Sequence, residues 1–189
     1  IKNSDKVCST SVAMKQIIVN KYNRNDVEII SFGVDIKLFK PKLNNQNFIV
    51  GTIKSIEDHN GIDCLIDAAK IVIKDYKKDI CFYIVGDGSL RKEMEKKAKN
   101  LKIENKIKFL GFVKHENVIK YYNKLSIFIA VSKRESFGVS ILEAASCAIP
   151  SITSGVGGLT EVNVNNETGL IINPDDPRKL ASSIVKLYN

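Results

Sequence analysis

The sequence predicts an α/β fold, with helices covering both faces of a doubly wound, mostly parallel β-sheet. From Asp26 to its end, the chain of 189 residues alternates short apolar runs with longer amphipathic stretches. Such runs are too short and too uniformly apolar for half-exposed helices, so they indicate buried strands. A composition with 44% hydrophobic and 26% charged residues suits one globular domain, or one domain with part of another. Strands that alternate with helices in this way pair in parallel and are covered on both sides.

Seven segments have the length and the apolar content of strands. Each holds β-branched, aromatic or other apolar residues between polar or turn-forming positions. In chain order they are "VEIIS", "NFIVGTI", "ICFYIVG", "KIKFLG", "SIFIAV", "PSITS" and "GLIIN".

Five stretches have the periodicity or the start signals of helices. In the first, apolar residues recur at helical spacing and form one stripe. The last begins with Asp176 as its N-cap and Pro177 at its first helical position. The predicted helices are Gly61–Lys74, Ser89–Leu101, His115–Tyr122, Val139–Cys147 and Asp176–Tyr188.

The N-terminal segment stands apart from this alternation. "DKVCSTS" predicts a strand, "VAMKQIIVNKYN" predicts a helix, and the polar link "NRND" separates them from the first strand of the main run. We therefore expect residues 1–24 to be the tail of a preceding domain with its linker, and residues 25–189 to be the main domain. Because the sequence stops in or just after a helix, we expect a fragment of a longer protein.

Charge and cysteine content exclude several classes of protein. The 29 Lys and Arg residues outnumber the 21 Asp and Glu residues, for a net charge of +8, but the lysines are spread along predicted helices. No basic block with interleaved aromatic residues indicates a nucleic-acid partner, whereas the excess charge suits anionic headgroups or phosphorylated ligands. The four cysteines are far apart and lack metal-ligand spacing, which indicates a reduced, cytosolic setting. There is neither an apolar run of about 18 residues nor a signal peptide, so we expect a soluble protein, at most peripheral to a membrane.

Ligands of a doubly wound sheet bind at the C-terminal ends of its strands, where the strand order reverses. Several loops predicted there are rich in glycine, which lets backbone amides approach a phosphate, although each glycine alone also suits a simple turn. The segment "GDGSLR" is not a G-x-G-x-x-G fingerprint, so a dinucleotide cofactor has little support. The candidate loops are Lys54–Gly61, Gly86–Ser89, Gly111–Glu116, Ser132–Gly138 and Ser154–Leu159.

Two carboxylates bracket the predicted start of one helix in "ESFGVSILEAA". Glu135, near the helix N-terminus, complements the positive end of the dipole, and this needs no ligand. Glu143 lies far enough into the helix to return to nearly the azimuth of Val139 and Ser140. These residues alone leave two interpretations open: a ligand crevice that both carboxylates border, or a structural role at the helix start.

Five motifs together resemble the C-terminal, donor-binding domain of the GT-B glycosyltransferases. The resemblance is to the large retaining family, group 1, which includes sucrose synthases, bacterial glycogen synthases and many enzymes of cell-surface polysaccharides. It runs from about Cys8 to the end, and the order and spacing of the motifs make it specific. The motifs are "ISFGVDIKLFKP", "YIVGDGSLR", "IKFLGFV", "VSKRESFGVSILEAASCAIPSITSGVGGLTEV" and "ETGLIINPDDPRKLA".

The resemblance implies a role for each matching position. Glu143 would accept hydrogen bonds from the ribose of a sugar nucleotide, and Glu135 would face the transferred sugar as a catalytic residue. Backbone amides at the helix start would hold sugar hydroxyls and the diphosphate. The other implied donor contacts are Ser136, Phe137, Gly138 and Val139 at that helix start, Gly33 beside the phosphates, Val113 beside the base, and Asp87 in "GDG".

The loop "GTIKSIEDHNG" departs from the family pattern. The family usually has an arginine and a lysine here, which neutralise the leaving diphosphate in place of a metal, so no metal cofactor is implied. Lys54 is the best single candidate for that catalytic role, whereas His59 or Asn60 stands where the second cation is expected. Phe32 replaces the asparagine usual before the turn glycine, and His115 is interpreted as a surface residue at a helix start. Because each lost electrostatic contact raises the barrier, the sequence predicts donor binding more directly than activity.

The resemblance implies a retaining glycosyltransferase whose main domain binds a nucleotide-activated sugar, while the preceding domain binds a saccharide or lipid-linked acceptor. The expected setting is cell-surface polysaccharide or lipopolysaccharide synthesis in a bacterium, in the cytoplasm or on the inner face of the membrane, without a nucleic-acid partner. The fragment alone is expected to be inactive. Two alternatives stay open: a sugar-nucleotide binding module without catalysis, and a nucleotide-sugar epimerase of the same architecture.

Overall fold

The computed structural model describes residues 1, 3–42 and 47–189. Within these residues, a two-stranded parallel sheet lies beside a six-stranded parallel sheet. The small sheet consists of β1 (Val7–Ser9) and β2 (Val27–Ile29). The large sheet consists of β3 (Ile49–Ile53), β4 (Cys81–Val85), β5 (Ile107–Gly111), β6 (Ile127–Ala130), β7 (Ser151–Ser154) and β8 (Gly169–Ile172). Its order is β5-β4-β3-β6-β7-β8, which confirms the predicted α/β class with a doubly wound parallel sheet.

The helices lie between the strands, as the sequence predicts. In the described part of the chain they are α1 (Val12–Tyr22), α2 (Ile62–Lys74), α3 (Arg91–Asn100), α4 (His115–Tyr122), α5 (Val139–Ser146), α6 (Leu159–Val162) and α7 (Pro177–Tyr188). The short helix α6 is absent from the predicted set because four residues are too few to show a helical period. Asp176 caps α7 as predicted, since its carboxylate accepts a hydrogen bond from the amide of Lys179 at 2.8 Å.

Strand β6 shows why the sheet must be covered on both faces. All four of its side chains are at most 1% exposed, and they alternate between two apolar clusters. Ile127 and Ile129 join the cluster that also contains residues of α2, α3 and α7. Phe128 and Ala130 join the cluster that contains residues of α4, α5 and α6. Burying each large apolar side chain stabilises the fold by roughly 1.5–3 kcal/mol, so neither face tolerates exposure.

The strand order reverses between β3 and β6. From β3 the chain moves outward through β4 and β5, and then it returns to β6 and continues through β7 and β8. The two central strands pair in register, with Val50 opposite Ile127 and Gly51 opposite Phe128. A crevice therefore forms beyond their C-terminal ends, where the loops after β3 and β6 separate. This is the place at which the sequence predicts a ligand site.

The N-terminal unit consists of β1, α1 and β2. The predicted strand at residues 27–31 is present, but it pairs with β1 rather than with the large sheet. None of the residues of α1, all of which the structure describes, is buried. The first turn of α1 is held by Glu161 of α6, whose carboxylate accepts hydrogen bonds from the amides of Val12 and Ala13 at 3.0 and 2.9 Å.

The cysteines are unpaired, and two of them, Cys64 and Cys147, are buried in the apolar clusters. All four lie in the described part of the chain, and none forms a disulfide. Burial raises the pKa of the Cys64 thiol to about 12 and that of Cys147 to about 11, so both stay protonated at neutral pH. Among the described helices, none has the length and apolar content to cross a membrane.

Candidate active site

Two residues from opposite sides of the reversal point meet in the crevice. Lys54 follows the last residue of β3, and Glu135 lies in the loop after β6. The ammonium of Lys54 forms an ion pair with Glu135 Oε2 and donates a hydrogen bond to Ser132 Oγ at 2.9 Å. The two side chains are only 11% and 20% exposed, so water screens this pair less than a surface pair. The structure thus brings together both residues to which the resemblance assigns a catalytic role.

Helix α5 begins beside this ion pair. Its N-cap is Gly138, which has a φ of +106° and offers no side chain to the first-turn amides. A side chain at this position would be strained, and its Cβ would lie 2.9 Å from Leu159 Cδ2. The amides of Val139 and Ser140 have no acceptor within the helix, and they carry the positive end of its dipole. The helix start is therefore suited to an anion next to Lys54 and Glu135.

The residues that lead into α5 differ in what they can offer a ligand. Ser136 is exposed, and its amide donates to Glu135 Oε1 at 3.2 Å. The ring of Phe137 is 5% exposed and packs edge-on against Phe32, with 5.8 Å between ring centroids. Phe137 can therefore reach a ligand only through its backbone. The outer partner, Phe32, remains 53% exposed.

The loop after β7 supports Glu135 from behind. Gly157 has a φ of +51°, and a Cβ there would lie 2.0 Å from the Glu135 carbonyl oxygen. The amide of Gly158 donates to the same carbonyl oxygen at 3.2 Å. Only glycine at position 157 allows this approach, so the "GVGG" segment sets the position of the loop that carries Glu135.

Glu143 lies one turn beyond the start of α5 and is 6% exposed. Both of its carboxylate oxygens have partners: the Tyr122 hydroxyl lies 2.7 Å from Oε2, and His115 Nε2 lies 2.7 Å from Oε1. The imidazole is 71% exposed, which agrees with the interpretation of His115 as a surface residue, although its Nε2 contacts Glu143. The sequence does not connect His115 or Tyr122 with Glu143, because the contact joins two helices that no local pattern relates.

A pocket of about 220 Å³ is lined by Lys54 and by residues that follow β4 and β5. Its lining includes two predicted donor contacts, Val113 and Asp87, and also Phe112, which is 77% exposed and was not predicted. The carboxylate of Asp87 is already engaged by the Gly88 amide and by the Arg91 guanidinium, each at 2.9 Å. These contacts lower the pKa of Asp87, the backbone amide most and the guanidinium next. Asp87 thus anchors its own loop at one wall of the pocket.

Three further positions that the sequence singles out lie outside the ion pair of Lys54 and Glu135. Gly33 is exposed, and a Cβ added to it would meet no atom of the described chain within 4 Å. The amide of Asn60 donates to Ser55 Oγ at 2.9 Å and to the Ser55 carbonyl oxygen at 3.0 Å, so this buried side chain supports its loop. His59 is exposed. Neither Asn60 nor His59 joins the ion pair of Lys54 and Glu135.

The family that matches this chain is described as "Glycosyl transferases group 1", and it matches residues 34–189. The chain belongs to this family. A relative named "Uncharacterized glycosyltransferase MJ1178", from Methanocaldococcus jannaschii, is 30% identical over 99% of the chain and 50% of its own length. The capsular polysaccharide biosynthesis glycosyltransferase CapM of Staphylococcus aureus is 29% identical over 96% of the chain and 51% of its own length.

Solved structures confirm the architecture of a group 1 glycosyltransferase domain of the GT-B type. Anabaena Alr3699/HepE, crystallised with UDP and glucose, superposes with a TM-score of 0.90 at 24% identity. The match covers 98% of the present chain and 54% of the Anabaena protein. The chain therefore spans about half the length of the curated relatives it matches.

Proposed function

We propose that the crevice binds a nucleotide-activated sugar, and that the protein to which this chain belongs transfers the sugar to a saccharide or lipid-linked acceptor with retention of configuration. The observation that carries the proposal is the meeting of Lys54 and Glu135 at the start of α5, with Glu143 on the same helix. A cation and helix-start amides suit a diphosphate, and two carboxylates suit the hydroxyls at its two ends.

Each group has a distinct part in this proposal. Helix rise places Glu143 about 6 Å beyond the first-turn amides, so one rigid element presents an anion site and a hydroxyl acceptor in sequence. The ammonium of Lys54 neutralises the departing diphosphate, and Glu135 turns from Lys54 to the hydroxyls of the transferred sugar. Lys54 and the helix amides supply the positive charge, so the proposal calls on no metal. Preset charges of this kind commonly account for most of the barrier lowering that an enzyme achieves.

The pocket beside Val113 is proposed to hold the base. Its volume of about 220 Å³ and its position next to Lys54 support this proposal, because a planar group bound there would lie at one end of a diphosphate held by Lys54. The exposed ring of Phe112 offers that group a face for stacking, which contributes about 0.5–1.5 kcal/mol beyond area burial. Gly33 leaves open space through which the phosphates pass close to the backbone.

The proposed acceptor and setting are supported by the relatives and by charge. CapM is named for capsular polysaccharide synthesis, which supports a role in cell-surface polysaccharides. The net charge of +8 favours attraction to anionic headgroups, and therefore a site of action at the inner face of a membrane. We further propose that a preceding domain, of which residues 1–24 are the tail, binds the acceptor.

Calorimetry on the chain tests donor binding directly. Uridine, guanosine and adenosine diphosphates are titrated with and without a chelator, starting with uridine diphosphate because the Anabaena protein was crystallised with it. We expect one of the three to bind with an affinity that the chelator leaves unchanged. If all three fail to bind, or if binding disappears on chelation, the proposed site chemistry is wrong.

Product analysis with the full-length protein tests the reaction. Transfer releases a free nucleoside diphosphate and forms a glycoside with the anomeric configuration of the donor. Interconverted sugar nucleotides without a glycoside would instead support an epimerase. Binding of the donor with neither product would support a binding module without catalysis.

A further inference from the structure

A buried tyrosine hydroxyl holds the side chain of Glu143 in place. Tyr122 is fully buried at the C-terminal end of α4. Its ring packs against Phe39 and Phe128, with ring centroids 5.8 and 5.5 Å away. The hydroxyl oxygen lies 2.7 Å from Glu143 Oε2. Because the surrounding rings fix the phenol, the position of its hydroxyl is set by core packing.

The proton of this contact belongs to the tyrosine. The hydroxyl has one proton to donate, and Glu143 Oε2 is closer than the carbonyl oxygen of Ser140, which lies 3.1 Å away. Burial, and next the neighbouring carboxylate, raises the pKa of Tyr122 well above its ordinary value, so the phenol stays protonated. Tyr122 therefore donates and Glu143 accepts.

This bond decides how the two carboxylate oxygens of Glu143 are directed. Oε2 is committed to the core, whereas Oε1 contacts His115, whose imidazole is 71% exposed. A carboxylate torsion has broad minima, so without a fixed donor the group can turn. A phenylalanine at position 122 would fill the same space but would leave Oε2 without this donor, which a buried carboxylate requires.

We propose that Tyr122 is a positioning residue for nucleotide recognition: its hydroxyl fixes the Glu143 carboxylate so that Oε1 faces the ribose hydroxyls. The inference rests on the proposed function, because it takes Glu143 as the group that binds the ribose. A ribose hydroxyl joins or replaces the imidazole of His115 at Oε1, while the bond at Oε2 keeps the carboxylate from turning away.

A thermodynamic cycle that changes the hydroxyl on the protein and the hydroxyls on the ligand tests the proposal. The unchanged chain and Tyr122→Phe are titrated with uridine diphosphate and with 2′,3′-dideoxyuridine diphosphate, and the guanosine and adenosine pairs are run in parallel. We expect the unchanged chain to prefer the ribose form by about tenfold to a hundredfold. In Tyr122→Phe this preference should fall to about threefold or less, because a turning carboxylate holds the hydroxyls poorly.

Tyr121→Phe is the matched control, since it removes the same hydroxyl from the adjacent, partly buried residue of α4. It should keep the full preference for the ribose form. If the unchanged chain binds both forms equally, or binds neither, the ribose role of Glu143 and hence the proposed site assignment fail. If the unchanged chain shows the preference and Tyr122→Phe retains it, the positioning role alone is overturned, even where both affinities fall together.

A second variant keeps the test independent of the stability of Tyr122→Phe. Combining Glu143→Ala with Tyr122→Phe leaves neither partner buried alone, which limits the cost to folding. Since Tyr122 acts through Glu143 in this proposal, the double variant should bind uridine diphosphate as Glu143→Ala does. A further tenfold loss on removing the hydroxyl would show that Tyr122 acts by another route and would overturn the proposal.

Discussion

The counter-ion of Lys54 in the crevice, Glu135, is itself a proposed ligand contact. The ammonium pairs with Glu135 and donates to Ser132, so both charges are held within the crevice. A bound diphosphate brings a second anion to the same ammonium. Removing Lys54 then has two effects with the same sign: it removes an attraction to the diphosphate, and it leaves the Glu135 carboxylate to repel it.

For Lys54→Met we therefore expect uridine diphosphate to bind about tenfold or more weakly, while the affinity for uridine stays within about twofold. Calorimetry with both ligands measures the difference. Lys97→Met is the matched control, because Lys97 of α3 also forms an ion pair, in this case with Asp67 of α2 at 2.7 Å. Equal losses for the nucleoside and its diphosphate would contradict a phosphate role for Lys54.

The two glutamates should respond differently to two ligands. Glu143→Ala should weaken uridine diphosphate and UDP-glucose by a similar factor, about tenfold to a hundredfold, because both carry the ribose. Glu135→Ala should not weaken the bare diphosphate, because it removes a carboxylate that competes with the diphosphate for Lys54. It should weaken UDP-glucose, because in the proposed site Glu135 contacts the sugar. Calorimetry on the two variants with the two ligands gives four affinities. Equal effects in all four, accompanied by lower melting temperatures, would mean that both residues only support the start of α5.

The sequence predicts some of these residues and misses others for a physical reason. Lys54 and Glu135 each follow a predicted parallel strand, and such strands end at the same edge of a sheet, so their proximity follows from topology. Tyr122 and His115 belong to a helix whose packing against α5 depends on the three-dimensional core. Nothing in the local pattern distinguishes Tyr122 from an ordinary apolar position, so its bond to Glu143 is visible only in the structure.

At the scale of loops and helices, two glycines in the proposed site differ in whether the backbone requires glycine. Gly157 has a left-handed backbone and touches the Glu135 carbonyl oxygen, whereas Gly33 faces open space and has no such backbone requirement. Gly157→Ala should lower the free energy of unfolding by about 1–3 kcal/mol, since it combines strain with a clash. Gly33→Ala should leave stability unchanged or raise it by about 0.4–1 kcal/mol.

Binding separates the two glycines further. Gly33→Ala should weaken uridine diphosphate although its melting temperature does not fall, because the added methyl group occupies the space proposed for the phosphates. Thermal melting and calorimetry on the same samples check both parts. A Gly33→Ala variant with unchanged affinity would place the phosphates elsewhere.

A strand or helix of this protein can be predicted when its own residues carry the apolar period or the start signal of that element. The strands of the large sheet and the longer helices have clear periods and start signals, and they lie where the sequence predicts them. The strand that pairs with β2 cannot be predicted, because the three residues of β2 carry no signal for the sheet that they join. Helix α6 is not predicted, because its four residues are too few to show a helical period.

At the scale of the whole molecule, the large sheet buries its core without help from the N-terminal unit. Apart from Phe39, the buried residues of both apolar clusters lie between residues 49 and 184 of the described chain, and the family match begins at residue 34. A chain that begins at residue 31 should therefore keep its circular dichroism spectrum, its cooperative melting and its affinity for uridine diphosphate. Loss of cooperative melting would show that β1, α1 and β2 belong to the same folding unit.

The contact between Glu161 and the first turn of α1 joins the N-terminal unit to α6. Two backbone amides on one side and one carboxylate on the other hold the N-terminal unit, and the contact is exposed to water. A contact of this kind contributes on the order of 1 kcal/mol, which is less than twice the thermal energy. We therefore expect these hydrogen bonds to break and re-form while both elements stay folded. Glu161 follows by three residues Gly158, whose amide donates to the Glu135 carbonyl oxygen, so one short segment of the chain contacts both the N-terminal unit and the loop that carries Glu135.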